Sequence, residues 1–115
     1  MRKITEINNS AKQRLTIVGE NNEQIPLELF FNPTQRTWFF NIEFNGLVIQ
    51  GRRLATAPNI LHQWRNKLPF GIMCIRDAGL DPFKVDDFKK GNAALFLLNE
   101  REKEQVTTEI IEARV

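Results

Sequence analysis

The chain has 115 residues, 42% of them hydrophobic and 26% charged, with a formal net charge of +2. That composition excludes collagen-like, mucin-like and fully disordered chains, and the charge is too small to argue for nucleic acid or an acidic membrane by itself. The longest apolar stretches, such as Ala93–Leu98, fall far short of the roughly 18 residues that a membrane-spanning helix needs.

Taken in order, the charged and asparagine-rich start at Met1-Arg2-Lys3 has no apolar run behind it, so no secretory signal is expected. Lys3 to Ile7 is a weak strand candidate, and Leu15 to Val18 a better one. In the next segment Ile25, Leu27, Leu29 and Phe31 alternate with Pro26, Glu28 and Phe30. Pro26 cannot donate to a ladder, which places it at a strand start or on an edge. Arg36 to Phe44 is the clearest strand: Trp38, Phe40, Ile42 and Phe44 share one face, and Thr37, Asn41 and Glu43 the other. Asn45-Gly46 follows it and Leu47-Val48-Ile49 comes next, which predicts a hairpin whose central residues take positive φ.

Thr56, Pro58 and the spacing of Ile60, Leu61, Trp64 and Leu68 predict a short helix over about 57–67. Phe70 to Arg76 reads as a strand, and a helical turn is expected over about 82–90, closed by Gly91. Ala94 to Leu98 reads as a strand. The charged run Glu100 to Glu104 reads as a solvated or frayed turn, leading into a last strand from Val106 to Ala113. These elements predict one mainly β domain over 1–115, a small antiparallel β-sandwich or β-barrel with one short helix and one helical turn.

The order of features from Phe31 to Glu100 is more specific than that. Phe31-Asn32 precedes a Pro turn, then come Trp38-Phe39-Phe40-Asn41-Ile42, Asn45-Gly46 and Ile49-Gln50-Gly51-Arg52-Arg53-Leu54. Asn59-Ile60-Leu61, Leu68-Pro69-Phe70-Gly71, Asp81-Pro82, Asp86-Asp87-Phe88 and Leu95-Phe96-Leu97-Leu98-Asn99-Glu100 complete the series. This order resembles the baseplate plug family of contractile-tailed phages. The resemblance implies a virion structural subunit at the centre of the tail baseplate, in contact with hub and tail-tube-initiator proteins, without enzymatic activity or a cofactor. The symmetry of such hubs implies three or six copies around the tail axis.

The residues themselves offer little chemistry. One histidine and one cysteine exclude multi-ligand zinc sites. Cys74 lies in the apolar run Gly71-Ile72-Met73-Cys74-Ile75 and reads as a core residue, and His62 reads as facing solvent, so no catalytic dyad is expected. Asp81, Asp86 and Asp87 lack the alternation of a calcium loop; Asp81 is expected to cap a turn, with Asp86 and Asp87 on its wet face. Gly51-Arg52-Arg53 lacks the Gly-rich loop that cradles phosphate.

Aromatics beside Arg52, Arg53, Arg65 and Lys67 would suit a small OB-like domain that stacks single-stranded nucleic acid, the alternative function. Against it, Trp38, Phe40 and Phe44 share a face with Ile42 and read as core. Phe30 and Phe39 fall on the opposite faces of their strands. They either fill the second half of a two-sheet core or form a protein contact surface. Arg52 and Arg53 follow Gly51 near the end of the hairpin's second strand, where at least one guanidinium should reach the surface. Phe30, Phe39, Arg52 and Arg53 are therefore the candidate interface residues.

Overall fold

Period-two alternation dictates most of the architecture. In the computed structural model, which describes residues 1–113 with side chains as far as Ile110, seven strands form two antiparallel sheets. β2 (Lys12–Val18), β3 (Gln24–Asn32), β4 (Thr37–Phe44) and β5 (Leu47–Arg53) make a four-stranded meander in that order. β1 (Arg2–Lys3), β7 (Ala93–Leu98) and β6 (Gly71–Arg76) form the second sheet, with β7 in the middle. The two sheets remain separate and do not close into a barrel.

The apolar faces of both sheets meet in one core. Ile25, Leu27, Leu29, Trp38, Phe40 and Ile42 come from the four-stranded sheet, and Ile72, Cys74, Leu95 and Leu97 from the other. Burial of one such aliphatic or aromatic side chain contributes about 1.5–3 kcal/mol, so this inner face carries much of the stability. Leu54, Leu61, Leu68 and Phe70 fill the core from the connections. The Trp38 indole also donates to the Lys84 carbonyl at 3.0 Å, tying β4 to the segment before β7.

The hairpin takes the predicted form. Phe44 pairs with Leu47 across Asn45 and Gly46, whose φ values of 47° and 82° match a type I′ turn. Pro26 sits where β3 is locally an edge: it lies opposite Thr16 of β2, and pairing with β4 starts one residue later at Leu27. The weak first strand shrinks to Arg2–Lys3, paired with Leu97 and Phe96.

Two elements depart from expectation. The helix predicted over 57–67 is a single 3-10 turn at His62–Trp64. Its first residues are held instead by β6: Ala57 and Cys74 exchange both backbone hydrogen bonds at 3.0 Å, and the Ile60 amide donates to the Ile72 carbonyl at 2.8 Å. The Asn59 side chain accepts from the Leu61 and Ile72 amides, so local polar bonds replace the helical ones. The expected helical turn over 82–90 narrows to α1 (Asp87–Lys90), closed by Gly91 at φ 82°.

The strand predicted over Val106–Ala113 is helix. It belongs to α2 (Glu100–Ala113), and the charged run before it is that helix's first turn. Asn99 and Glu102 form a reciprocal cap: the Glu102 amide donates to Asn99 Oδ1 at 2.8 Å, and the Asn99 amide to Glu102 Oε1 at 3.1 Å. Positions 100, 101, 104, 105, 108 and 109 are exposed, whereas Lys103 is buried and Val106 and Ile110 are half-buried, the spacing of an amphipathic helix. The Lys103 ammonium fastens α2 to the body by donating to the Arg65 and Leu68 carbonyls at 2.8 and 2.6 Å.

Candidate functional site

The outer face of the four-stranded sheet brings two of the candidate residues together. Phe30 and Phe39 are directly opposite each other on β3 and β4. Their rings stack with centroids 5.5 Å apart and planes 16° from parallel. Both are half-buried, and neither belongs to the core cluster between the sheets. Their place in the pleat explains this: Leu29 and Phe40, one residue away on each strand, point inward. Filling a second half of the core is thereby excluded.

The register extends the pair into a row across all four strands, Lys12, Phe30, Phe39 and Arg53. A bulge decides which arginine joins it. Ile42 lies opposite Ile49, but Phe40 lies opposite Arg52, so β5 carries one extra residue between them. Gly51 absorbs that residue at φ 65°, and its amide donates to Asn41 Oδ1 at 2.6 Å. The bulge places Arg53 beside Phe39.

Both arginines are exposed, and each is already oriented from within the chain. Arg53 Nη2 lies 3.1 Å from Asp81 Oδ2, in a pair whose partners are both solvent-accessible and which contributes at most about 1 kcal/mol. Arg52 lies on the other side of the edge, 5.2 Å above the Trp64 ring and 3.1 Å from Gln63 Oε1. Phe30, Phe39 and Arg53 therefore share one surface, and Arg52 stands apart from it.

The acidic cluster is divided. Asp81 accepts from the Thr56 amide at 2.9 Å. Asp86 is half-buried and pairs with Lys90 at 3.0 Å. Asp87 does not lie on a wet face: it is fully buried and held in a fork by Arg76, with Nε and Nη2 each 3.1 Å from one carboxylate oxygen. The Phe83 and Lys84 amides also donate to it at 2.9 Å. Burial pushes its pKa up, but the Arg76 hydrogen bonds and these two amides outweigh burial and hold it below the usual carboxylate value. Arg76 in turn stacks on Phe83 at 4.2 Å.

Cys74 is a buried core residue as expected, and desolvation, followed by the Asp81 charge, pushes its thiol up to about 12. A thiol held so high is the opposite of an activated nucleophile. His62 is half-buried in the 3-10 turn, not on an open solvent face. Among the described residues, no group of three or more His, Cys, Asp or Glu side chains could hold a metal ion.

The sequence reading missed the Arg76–Asp87 fork, which joins the end of β6 to the first residue of α1. The available signal was Asp87 beside apolar Phe88 in a segment already expected to turn.

As a class, this is a small two-sheet β protein that carries a stacked aromatic pair on the outer face of one sheet. Comparison with known families makes the class particular: the family described as cyanophage baseplate Pam3 plug gp18 matches residues 1–104. The chain belongs to that baseplate plug family and is a structural protein of the phage tail baseplate. A comparison with curated proteins finds no match.

Proposed function

We propose that the protein acts as a non-enzymatic plug or adaptor subunit at the centre of the baseplate, joining hub and tail-tube-initiator proteins through the outer face of its four-stranded sheet. The observation that carries the contact surface is the Phe30–Phe39 stack, an apolar pair outside the core. Rigid aromatics of this kind anchor protein interfaces because a few well-packed residues carry most of the affinity. Arg53 lies at the rim of the pair, where its guanidinium exchanges Asp81 for a partner carboxylate at little cost, since the existing pair is exposed. Arg52, stacked on Trp64, offers a second and separate polar contact.

The non-enzymatic part of the reading is supported by the buried, high-pKa thiol of Cys74 and by family membership. The decisive experiment makes Phe30→Ser and Phe39→Ser separately and measures thermal stability and co-purification with the hub and tube-initiator proteins of the same phage. Near-native melting with lost co-purification is expected. Unchanged co-purification of both folded variants would overturn the contact surface.

A further inference from the structure

Four strands lie at the edges of the two sheets, and three of these edges are blunted. β1 has only two residues, and β5 is broken by the Gly51 bulge. β6 is covered by Ala57 and Ile60, which bond to Cys74 and Ile72. The edge of β2 is different. Its seven residues pair with β3 without a shift of register, and they include neither proline nor glycine.

The ladder fixes which backbone groups of β2 stay unused. At one end the Phe31 amide donates to the Ala11 carbonyl at 2.7 Å, and at the other the Gly19 amide donates to the Glu23 carbonyl at 2.8 Å. Facing residues of an antiparallel pair alternate between bonded and unbonded. Gln13, Leu15 and Ile17 therefore bond to β3, and Lys12, Arg14, Thr16 and Val18 turn their amides and carbonyls outward. The Arg2 guanidinium donates to the Val18 carbonyl. Among the described residues, no other segment hydrogen-bonds the backbone of Lys12, Arg14 or Thr16 on that side.

The side chains define what this edge accepts. On the outer face Lys12, Arg14 and Thr16 are exposed, and the one carboxylate directly opposite them is Glu28, across from Arg14. On the inner face Leu15 packs against the core but is only half-buried, between the buried Gln13 and Ile17. A strand with carboxylates on one face and apolar side chains on the other complements both. A second copy of β2 supplies the wrong charge, because it gathers Lys12 and Arg14 of both chains on one face.

We propose that the free edge of β2 takes up an extended, acidic segment of another protein as an added antiparallel strand. Backbone hydrogen bonds to Lys12, Arg14 and Thr16 hold it, its carboxylates lie beside Lys12 and Arg14, and an apolar residue covers Leu15. The inference stands on the ladder and the edge, not on the baseplate reading. Folded Phe30→Ser and Phe39→Ser variants should therefore bind the same segment like the wild type, so the two contacts are read separately.

The test adds a blocked seven-residue peptide that alternates glutamate and valine, the length of β2, to the full chain at up to about 1 mM. Amide hydrogen exchange is followed residue by residue by NMR. Without peptide, Lys12, Arg14 and Thr16 should exchange about tenfold faster than Gln13, Leu15 and Ile17, or more. With peptide, the three outward amides should slow several-fold. In an antiparallel pair the glutamate amides of the peptide face β2, so N-methylation of the glutamates should abolish the slowing. N-methylation of the valines should leave it.

A peptide with lysine in place of glutamate should have no effect on the wild type, and Lys12→Glu with Arg14→Glu should reverse the preference between the two peptides. Both residues are exposed, and circular dichroism melts check that the variant remains folded. Because Arg14→Glu faces Glu28, Lys12→Gln with Arg14→Gln replaces it if the reversed variant melts early, and should erase the preference. Four outcomes would overturn the proposal: outward amides already slow without peptide, no slowing at the highest concentration, equal effects of the two methylated peptides, or equal responses to both charges.

Discussion

Phe30 and Phe39 form a stacked aromatic pair across the β3–β4 ladder, on the side of the sheet that faces away from the core. Offset-stacked rings at this spacing couple by about 0.5–1.5 kcal/mol beyond the area they bury. A double-mutant cycle with Phe30→Ala, Phe39→Ala and the double variant, read by urea denaturation, should return a coupling in that range. The single variants should each lose much less stability than a core truncation. Additive single losses would show that the rings do not support one another.

Trp38 provides the contrasting case. Its side chain is fully buried, packs edge-on against Phe88 at 5.5 Å, and donates to the Lys84 carbonyl. Trp38→Ala should cost about 3–5 kcal/mol, because cavity formation adds to the lost transfer energy. Trp38→Phe keeps most of the volume and should cost less, leaving the Lys84 carbonyl without its indole donor. Thermal melts of the three proteins measure the difference.

The Arg76–Asp87 fork gives stability a definite pH dependence. The Asp87 pKa in the folded protein lies below that of the unfolded chain, so its contribution is fully present above the unfolded value of about 3.9. It fades as pH falls below that value toward the depressed one. Asp87→Asn removes this dependence and leaves a buried guanidinium without its counter-charge, which should cost about 3–5 kcal/mol at neutral pH. Melting temperatures recorded from pH 7 to pH 2.5 should converge for the two proteins at the acid end; parallel curves would refute the assignment.

Cys74 should resist thiol reagents in the native state. With its thiol pushed up to about 12 and its side chain buried, the reactive thiolate is scarce and shielded. Ellman's reagent at pH 8 should label it only as the protein opens, with a rate that rises in denaturant. Fast labelling of the folded protein would contradict that burial.

Gly71 is predicted to be intolerant of a side chain for a reason separate from backbone conformation. A Cβ there would come within 2.9 Å of the Asn59 amide group. Asn59 is itself buried and accepts from the Leu61 and Ile72 amides, so it cannot withdraw without breaking both bonds. Gly71→Ala should cost about 1–3 kcal/mol through this overpacking. Gly46→Ala, with open space around its Cβ, should lose only the smaller amount due to its positive φ. Denaturant midpoints of the two variants separate these effects.

The local pattern alone determined β3, β4 and the β4–β5 hairpin with their inner faces. Trp38, Phe40 and Ile42 alternate with polar neighbours, and Asn45-Gly46 fixes the register of its hairpin, because both signals act within a few residues. Family membership was legible for a related reason: the order of turns and aromatics persists along the chain and is read without knowing any long-range contact. The candidate site was half legible. Phe30 and Phe39 stand out as aromatics on the wrong face, but which arginine accompanies them depends on the Gly51 bulge, whose place is set by pairing with β4.

Tertiary structure decided the rest. The apolar spacing of Ile60, Leu61, Trp64 and Leu68 suits a helix, yet β6 takes the backbone hydrogen bonds of Ala57 and Ile60. In α2 the conflict runs the other way. The β-branched residues Val106, Thr107, Thr108 and Ile110 favour strand, but the Asn99–Glu102 cap was written in the sequence and supported a helix that the strand reading overlooked. What no local signal could supply is the seat of that helix: Lys103 reaches carbonyls 35 and 38 residues earlier in the chain. Propensities of a few tenths of a kcal/mol per residue decide an element only where distant partners do not compete for its backbone, and here such partners decided residues 57–67.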